Sequence, residues 1–488
     1  MRLRNMKTHN SKWIGPAALA AAIALAAAEV RAEETPTGLP VYRAESCCDL
    51  CPAAADPNSY TSNYMKGFVT LVQGNESDWL FRTNEDLRTE FGTTPEGYRQ
   101  LKALHDAFKS RGVELVIVYQ PTRGMVQRNK LLPADYARFD YDKAVRNFRA
   151  TLKHFEQLGY WVPDLTPLTD EKVEPAFYFR GDHHWTSYGA ERSARIVAET
   201  VKEIPAFADI PRKEFVTKKM GRMGKRGTHH RVAGQLCNTT YAFEHSDQFF
   251  TEPKGEGGGD LFGDSSLPQI TLVGTSHSGT NYNFAGFLSE YMGAEILNVA
   301  FPGSGLEGSM LEYLASDEFQ KNPPKILIWE FSPLYDLAED KFYRQALSML
   351  GNACEGEKTL LAGKATLRPG EAGKEVLING AGRLVEATNS RHQVDIRFSD
   401  PSVKKLEGTI WYMTGRREKF QFDKPVTTET NGRFAFNMRD EADWGGLNFF
   451  AMEIQPPEGL KEPVEVEVRL CKRHDYHAPA NLTARSGN

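Results

Sequence analysis

Gln269-Ile270-Thr271-Leu272-Val273-Gly274-Thr275-Ser276-His277-Ser278-Gly279 is an apolar, partly β-branched run that stops in a turn of small residues. It reads as a buried strand that delivers a serine to the edge of a sheet. Well upstream, Gly181-Asp182-His183-His184-Trp185 supplies an acid and an imidazole two positions apart. A serine hydroxyl is a poor nucleophile unless a base, oriented by a third group, takes its proton. The two segments predict an acyl-transfer site of Ser276, His184 and Asp182. Residues two apart on an extended segment share a face, whereas neighbours point apart, so Asp182 pairs with His184 rather than His183. The rival reading makes Asp182, His183, His184 and the nearby His229-His230 metal ligands. It lacks a closed ligand set, and no metal is expected. His277 should point away from the nucleophile, and N–H groups at a helix start after Ser276 should stabilise an oxyanion.

Around this segment, residues 60–350 alternate strand-like and helical runs. Helical spacing over Thr94 to Arg111 is stopped by Gly112, that of Lys143 to Leu158 by Gly159, and Ser187 to Ile204 has Thr186 or Ser187 as N-cap. Strands are expected at Val113–Tyr119, Ile270–Val273, Ile296–Ala300 and Lys325–Phe331. Such alternation implies a mainly parallel sheet covered on both faces, with catalytic groups outside its carboxyl ends. Gln120-Pro121-Thr122-Arg123, the Ser276 turn and Phe301-Pro302-Gly303-Ser304-Gly305 all fall at such ends. From Leu360 to Leu470 the texture changes to short strand-like runs between turn residues, which reads as an antiparallel sandwich.

The N-terminus carries Arg2, Arg4, Lys7 and Lys12, an apolar run from Ile14 to Ala28, and Val30-Arg31-Ala32. This has the form of a cleaved secretory signal, and the mature protein is expected to be soluble and exported. The expected divisions are a signal peptide at 1–32, a catalytic domain at 33–352, a β-sandwich at 353–474 and a frayed tail at 475–488. Residues 1–32 hold five basic residues and one acid, so their removal takes the formal charge from −5 to −9. That excess of acid opposes nucleic acid as a partner and leaves polyanion binding to local patches.

Six cysteines in an exported chain favour disulfides, with 15 full pairings open. A Cys354–Cys471 bond would clasp the last third, leaving Cys237 for the N-terminal cluster, Cys51 foremost. Cys47, Cys48 and Cys51 lack a nearby histidine for a four-ligand zinc site. The stretch Thr217 to Arg231 carries Lys218, Lys219, Arg222, Lys225, Arg226 and Arg231 with almost no acid. It reads as a basic loop suited to a polyanion, although charge runs are commonly plain solvated surface. Trp411 and Tyr412 are flanked by Lys404, Lys405, Arg416 and Arg417, and alternation puts only one of the two rings inside. An aromatic beside basic groups suits a uronic-acid polymer. No cofactor is called for, and the chain is read as a monomer.

Five stretches in the same order resemble the AlgX family of periplasmic alginate O-acetyltransferases. They are Ser77-Asp78-Trp79-Leu80-Phe81-Arg82, Val118-Tyr119-Gln120-Pro121-Thr122-Arg123-Gly124, Tyr178 to Trp185, Gly274 to Gly279, and Trp329-Glu330-Phe331-Ser332-Pro333-Leu334-Tyr335. The resemblance covers essentially the whole mature chain. It implies an α/β fold: an SGNH-hydrolase-like α/β/α sandwich followed by a β-sandwich carbohydrate-binding module. It also implies transfer of acetyl groups to mannuronate residues of nascent alginate, from a membrane-linked relay and alongside other alginate biosynthesis and export proteins. Ser276 becomes the nucleophile, His184 the base, Asp182 its orienter and Tyr282 a cleft residue. Disulfides Cys51–Cys237 and Cys354–Cys471 are carried over, and Thr409, Trp411 and Arg417 form a polymer patch. Arg123, Lys218, Lys219 and Arg222 complete the candidate substrate contacts. The sequence departs from ordinary SGNH enzymes in two respects. Its Asp/His segment precedes the serine, a circularly permuted order. The Gly-x-Asn-Asp block is replaced by Ile328-Trp329-Glu330-Phe331, leaving the Gly303/Gly305 loop as one candidate second oxyanion donor. An acetyl esterase with the same triad and a non-catalytic polymer escort are the alternative readings.

Overall fold

The computed structural model describes residues 33–34, 40–41 and 50–474, except 77, 133–138, 171–173, 256–266, 381, 383 and 426. The expected signal peptide, the tail at 475–488, and Cys47 and Cys48 lie outside the described residues. The N-terminal half carries strands β1 (Leu71–Gln73), β2 (Leu80–Arg82), β3 (Glu114–Tyr119), β4 (Phe215–Lys225), β5 (Glu244–Pro253), β6 (Ile270–Gly274), β7 (Ile296–Asn298) and β8 (Ile326–Phe331). Its main helices are α1 (Pro95–Ser110), α2 (Tyr141–Gln157), α3 (Ser187–Lys202), α4 (Thr228–Cys237), α5 (Phe284–Met292), α6 (Gly308–Ala315) and α7 (Asp340–Leu350).

Strands β3, β8, β6 and β7 form one sheet in that order, every pair parallel. Burial explains why β3, β6 and β8 read as unbroken apolar runs: alternate residues feed different cores. Leu115, Ile117, Tyr119, Leu327, Trp329 and Phe331 join a core with α1, α2, α6 and α7. Val116, Val118, Ile326, Ile328, Ile270 and Leu272 join a second core with α3 and α5. The result is a three-layer α/β/α sandwich. Thr94, Asp140 and Thr186 cap α1, α2 and α3, each side chain accepting from a backbone N–H in the first turn. Gly112 follows α1 at φ +74° and Gly159 follows α2 at φ +105°, backbone that glycine adopts without strain.

Thr217 to Arg231 is not a loop. Its first part is β4, paired antiparallel with β5, and its second opens α4. The two strands form a separate sheet that packs against α3 and α5, and the residues of β4 are half-buried or exposed. Few of its side chains enter a core, so it shows little of the apolar alternation by which a strand is read.

The second half is the expected sandwich. One sheet has the order β9 (Leu361–Leu367), β16 (Val464–Lys472), β11 (His392–Phe398) and β14 (Arg433–Asn437). The other has β10 (Lys374–Ile378), β15 (Phe449–Ile454), β12 (Lys405–Tyr412) and β13 (Arg417–Asp423). All pairings within both are antiparallel. Disulfide Cys354–Cys471 ties the start of this half to β16, and Cys51–Cys237 ties the N-terminal segment to the end of α4.

Candidate active site

Ser276 opens a 3-10 turn directly after β6, at the carboxyl end of the sheet. A second such turn, Thr280–Tyr282, intervenes before α5 begins. The Thr275 hydroxyl accepts from the His277 N–H at 3.1 Å, while the first N–H of the turn, that of Ser276, has no intrahelical acceptor. Beneath the turn lies Glu330, fully buried on β8. It accepts from Thr275 N–H at 2.9 Å, from the hydroxyls of Thr275 and Ser278, and from Gln120 Nε2. Thus the residue standing in place of the Gly-x-Asn-Asp block holds the turn that presents the serine.

His184 Nε2 lies 2.7 Å from Ser276 Oγ, and its Nδ1 lies 2.5 Å from Asp182 Oδ1. Ser276 is half-buried, His184 is 8% exposed and Asp182 is sealed from solvent. Asp182 also accepts from the His184 N–H at 3.0 Å and, through Oδ2, from the Thr228 N–H at the start of α4 at 2.8 Å. A helix N-terminus favours a carboxylate. Gly227, just before that helix, packs so tightly on Gly181 that a Cβ would meet its carbonyl oxygen at 1.9 Å. Burial alone would raise the Asp182 pKa, but His184, His183 and Lys225 outweigh it and hold the carboxyl well below its ordinary range. Burial lowers the His184 pKa against the pull of Asp182, so the imidazole is kept neutral and able to accept a proton.

Arg123 is 2% exposed, and its guanidinium donates to the carbonyls of Phe179 (2.5 Å), Asp182 (2.6 Å), Leu80 (2.8 Å) and Arg180 (3.0 Å). Three of these carbonyls belong to Phe179, Arg180 and Asp182 and the fourth to Leu80 of β2, while Nε lies 3.4 Å from Asp86, so Arg123 clamps the Asp182 segment to β2 from a buried position. Tyr282 is buried beside His184, with ring centroids 5.3 Å apart. His277 turns from the nucleophile as expected, and its Nε2 lies 3.1 Å from the His183 carbonyl.

The expectation that His183 and His184 diverge does not hold. Gly181–His184 is bent rather than extended, and the two rings sit 3.9 Å apart. Ligand atoms of Asp182, His183 and His184 lie within 4.8 Å of one another. They are already engaged: His183 Nδ1 lies 3.0 Å from Thr228 Oγ1, and both nitrogens of His184 serve Asp182 and Ser276.

The hairpin alters the reading of the basic stretch. Lys218 pairs with Glu252, Lys219 lies 2.6 Å from Asp247, and Arg222 lies 3.9 Å from the same carboxylate. The acids are on β5, so much of the basic excess is balanced across the strands. Lys225, last on β4, turns inward instead and was not singled out by its sequence. On the module, Thr409 and Trp411 are half-buried, Tyr412 is inside, and exposed Arg417 lies opposite Trp411, its guanidinium 5.7 Å from the ring.

The family described as an SGNH hydrolase-like domain, acetyltransferase AlgX, matches residues 71–333, and a C-terminal carbohydrate-binding module matches 353–484. The class is therefore an SGNH hydrolase-like domain joined to a carbohydrate-binding module. Alginate biosynthesis protein AlgX of Pseudomonas syringae pv. tomato is 56% identical over 99% of this chain and 100% of its own. The solved structure of Pseudomonas aeruginosa AlgX superposes with a TM-score of 0.81 at 49% identity, covering 87% of this chain and 99% of that one. "Probable alginate O-acetylase AlgJ" of the same species is 31% identical over 56% of this chain and 72% of its own. The chain belongs to the AlgX family of alginate biosynthesis proteins.

Proposed function

We propose that this protein is an alginate O-acetyltransferase of the periplasm that moves acetyl groups onto mannuronate residues of the nascent polymer. The observation that carries the reading is the chain of contacts Asp182–His184–Ser276 at the carboxyl end of the sheet. The kinship with AlgJ and the attached carbohydrate-binding module support the acetyl group and the polymer as substrates. Two disulfides fit an oxidising compartment, and among the described residues no helix is long and apolar enough to cross a membrane.

In the first half-reaction Ser276 Oγ attacks the carbonyl carbon of an acetyl ester while His184 Nε2 takes its proton. The Ser276 N–H stabilises the oxyanion. Collapse breaks the ester C–O bond, His184 returns the proton to the departing alcohol, and an acetyl-serine remains. In the second half a mannuronate hydroxyl attacks that ester, losing its proton to His184, which then restores Ser276. Asp182 stays ionised throughout and holds the Nδ1 proton. Polymer held near the site lets a sugar hydroxyl outcompete water. The acetyl donor is an ester carried by a membrane-linked relay.

Ser276→Ala should abolish acetylation of mannuronate oligomers from a surrogate acetyl ester, read by mass spectrometry, while polymer binding stays near normal. Full transfer by that variant would end the proposal.

A further inference from the structure

Lys225, at the end of β4, reaches the Asp182–His184 pair. Its ammonium lies 3.4 Å from Asp182 Oδ1 and 3.2 Å from His184 Nδ1, and it donates to the Tyr282 hydroxyl. It also lies 5.1 Å from the centre of the Tyr282 ring and 5.5 Å from that of Phe179. Its side chain is 20% exposed. Lys218 and Lys219, on the same strand, are more than half exposed.

We infer that Lys225 is a positioning residue of the acyl-transfer site, which holds the Asp182–His184 pair and sets the acid limit of His184 as a base. This rests on the proposed role of the triad.

The argument turns on one proton. If Lys225 donated to His184 Nδ1, the imidazole would carry its proton on Nε2 and could not accept from Ser276. An ammonium that finds Asp182 and the Tyr282 hydroxyl as acceptors instead leaves Nδ1–H for Asp182 and Nε2 for the serine. The same charge, held against the ring in a largely buried site, opposes a second proton on the imidazole. The other groups around that ring are the Asp182 carboxylate, the His183 and His277 rings, Tyr282, Ser276 and, further off, the Arg82 guanidinium. Asp182 favours the imidazolium, and Lys225 is the nearest cation that counters it. Burial pushes Lys225 toward its neutral form, and Asp182 resists that push. The basic hairpin therefore has a role besides surface charge: it carries one lysine into the site.

The test follows the pH dependence of kcat/KM for p-nitrophenyl acetate with wild type, Lys225→Met and Lys225→Arg, together with thermal unfolding of each. Lys225→Met should move the acid limb upward by about one pH unit, so its deficit is about tenfold on that limb and narrows as pH rises. Lys225→Arg should restore most of the limb. An NMR titration of the His184 ring should show the same upward movement in Lys225→Met. A deficit equal at every pH, or an unmoved His184 titration in a folded variant, would overturn the inference. If Lys225→Met does not fold, a Lys225→Arg limb displaced as far as one unit would overturn it equally. A wild type that neither cleaves the ester nor acetylates oligomers would instead sink the parent reading.

Discussion

At the scale of single residues, Glu330 shows how a substituted motif can still hold the turn that carries Ser276. Backbone, hydroxyl and amide donors converge on this one buried carboxylate, and they hold Thr275 and Ser278 on either side of Ser276. Burial raises its pKa from 4.5 to about 7, against the pull of those hydrogen bonds. A folded value above the unfolded one means that the fold prefers the protonated form. That preference is complete below about pH 4.5 and is lost as pH rises through about 7. Wild type should therefore lose about 3 kcal/mol of stability across that interval relative to Glu330→Gln, which does not titrate there. Denaturant unfolding of both proteins at a series of pH values measures the difference. Parallel curves would show that Glu330 does not change its charge in that range.

At the scale of elements, α4 connects a covalent tie to the triad. Its first N–H reaches Asp182, and its last residue, Cys237, is bonded to Cys51. Replacing both cysteines by serine should cost about 2–4 kcal/mol, since the bond joins residues far apart in the chain. Ester cleavage should fail at a lower temperature than global unfolding in the variant, because α4 is freed at the end opposite the triad. Activity and circular dichroism melts run side by side test this, and coincident curves would remove the link. Elements differ in how far their residues announce them. β3, β6 and β8 were legible because both faces are buried and, Glu114, Thr271 and Glu330 aside, their positions carry no polar side chain but the Tyr119 hydroxyl and the Trp329 indole N–H. The helix ends at Gly112 and Gly159 were legible because glycine alone takes those dihedrals cheaply. The β4–β5 hairpin was not, since Lys-Lys-Met-Gly-Arg-Met-Gly-Lys has neither alternation nor β-branching. The acids that balance its charges stand on a strand beyond α4. Asp182 and His184 are in contact, two positions apart, but His183 lies on the same side as His184 because the spacing rule holds for extended chain and the segment bends. Lys225 looked like one of several cations, and nothing local marks it as the one that turns inward.

At the scale of the whole molecule, the module is built into the SGNH hydrolase-like half rather than tethered to it. Ala435 of β14 belongs to the same apolar core as α1 and α7. Arg344 on α7 donates to the Asn437 carbonyl and, at 2.8 Å, to Glu418, which also accepts from the Tyr412 hydroxyl. Tyr412 and Glu418 are the inward neighbours of Trp411 and Arg417, so the bridge lies directly behind the polymer patch proposed from the sequence. On the proposed function, a fixed patch would convert a second encounter with the polymer into an intramolecular one and so raise the local concentration of sugar hydroxyls at Ser276. Loosening the bridge should harm transfer to polymer more than the chemistry itself. Truncating Arg344 alone would leave Glu418 charged and buried, at a cost of about 3–5 kcal/mol, so both partners should be replaced together. Arg344→Leu with Glu418→Leu should cleave p-nitrophenyl acetate within about twofold of wild type yet acetylate long mannuronan about tenfold more slowly, with short oligomers between the two. Equal losses on ester and polymer would mean the bridge serves stability alone. No loss on either would mean the patch acts independently of its orientation toward the serine.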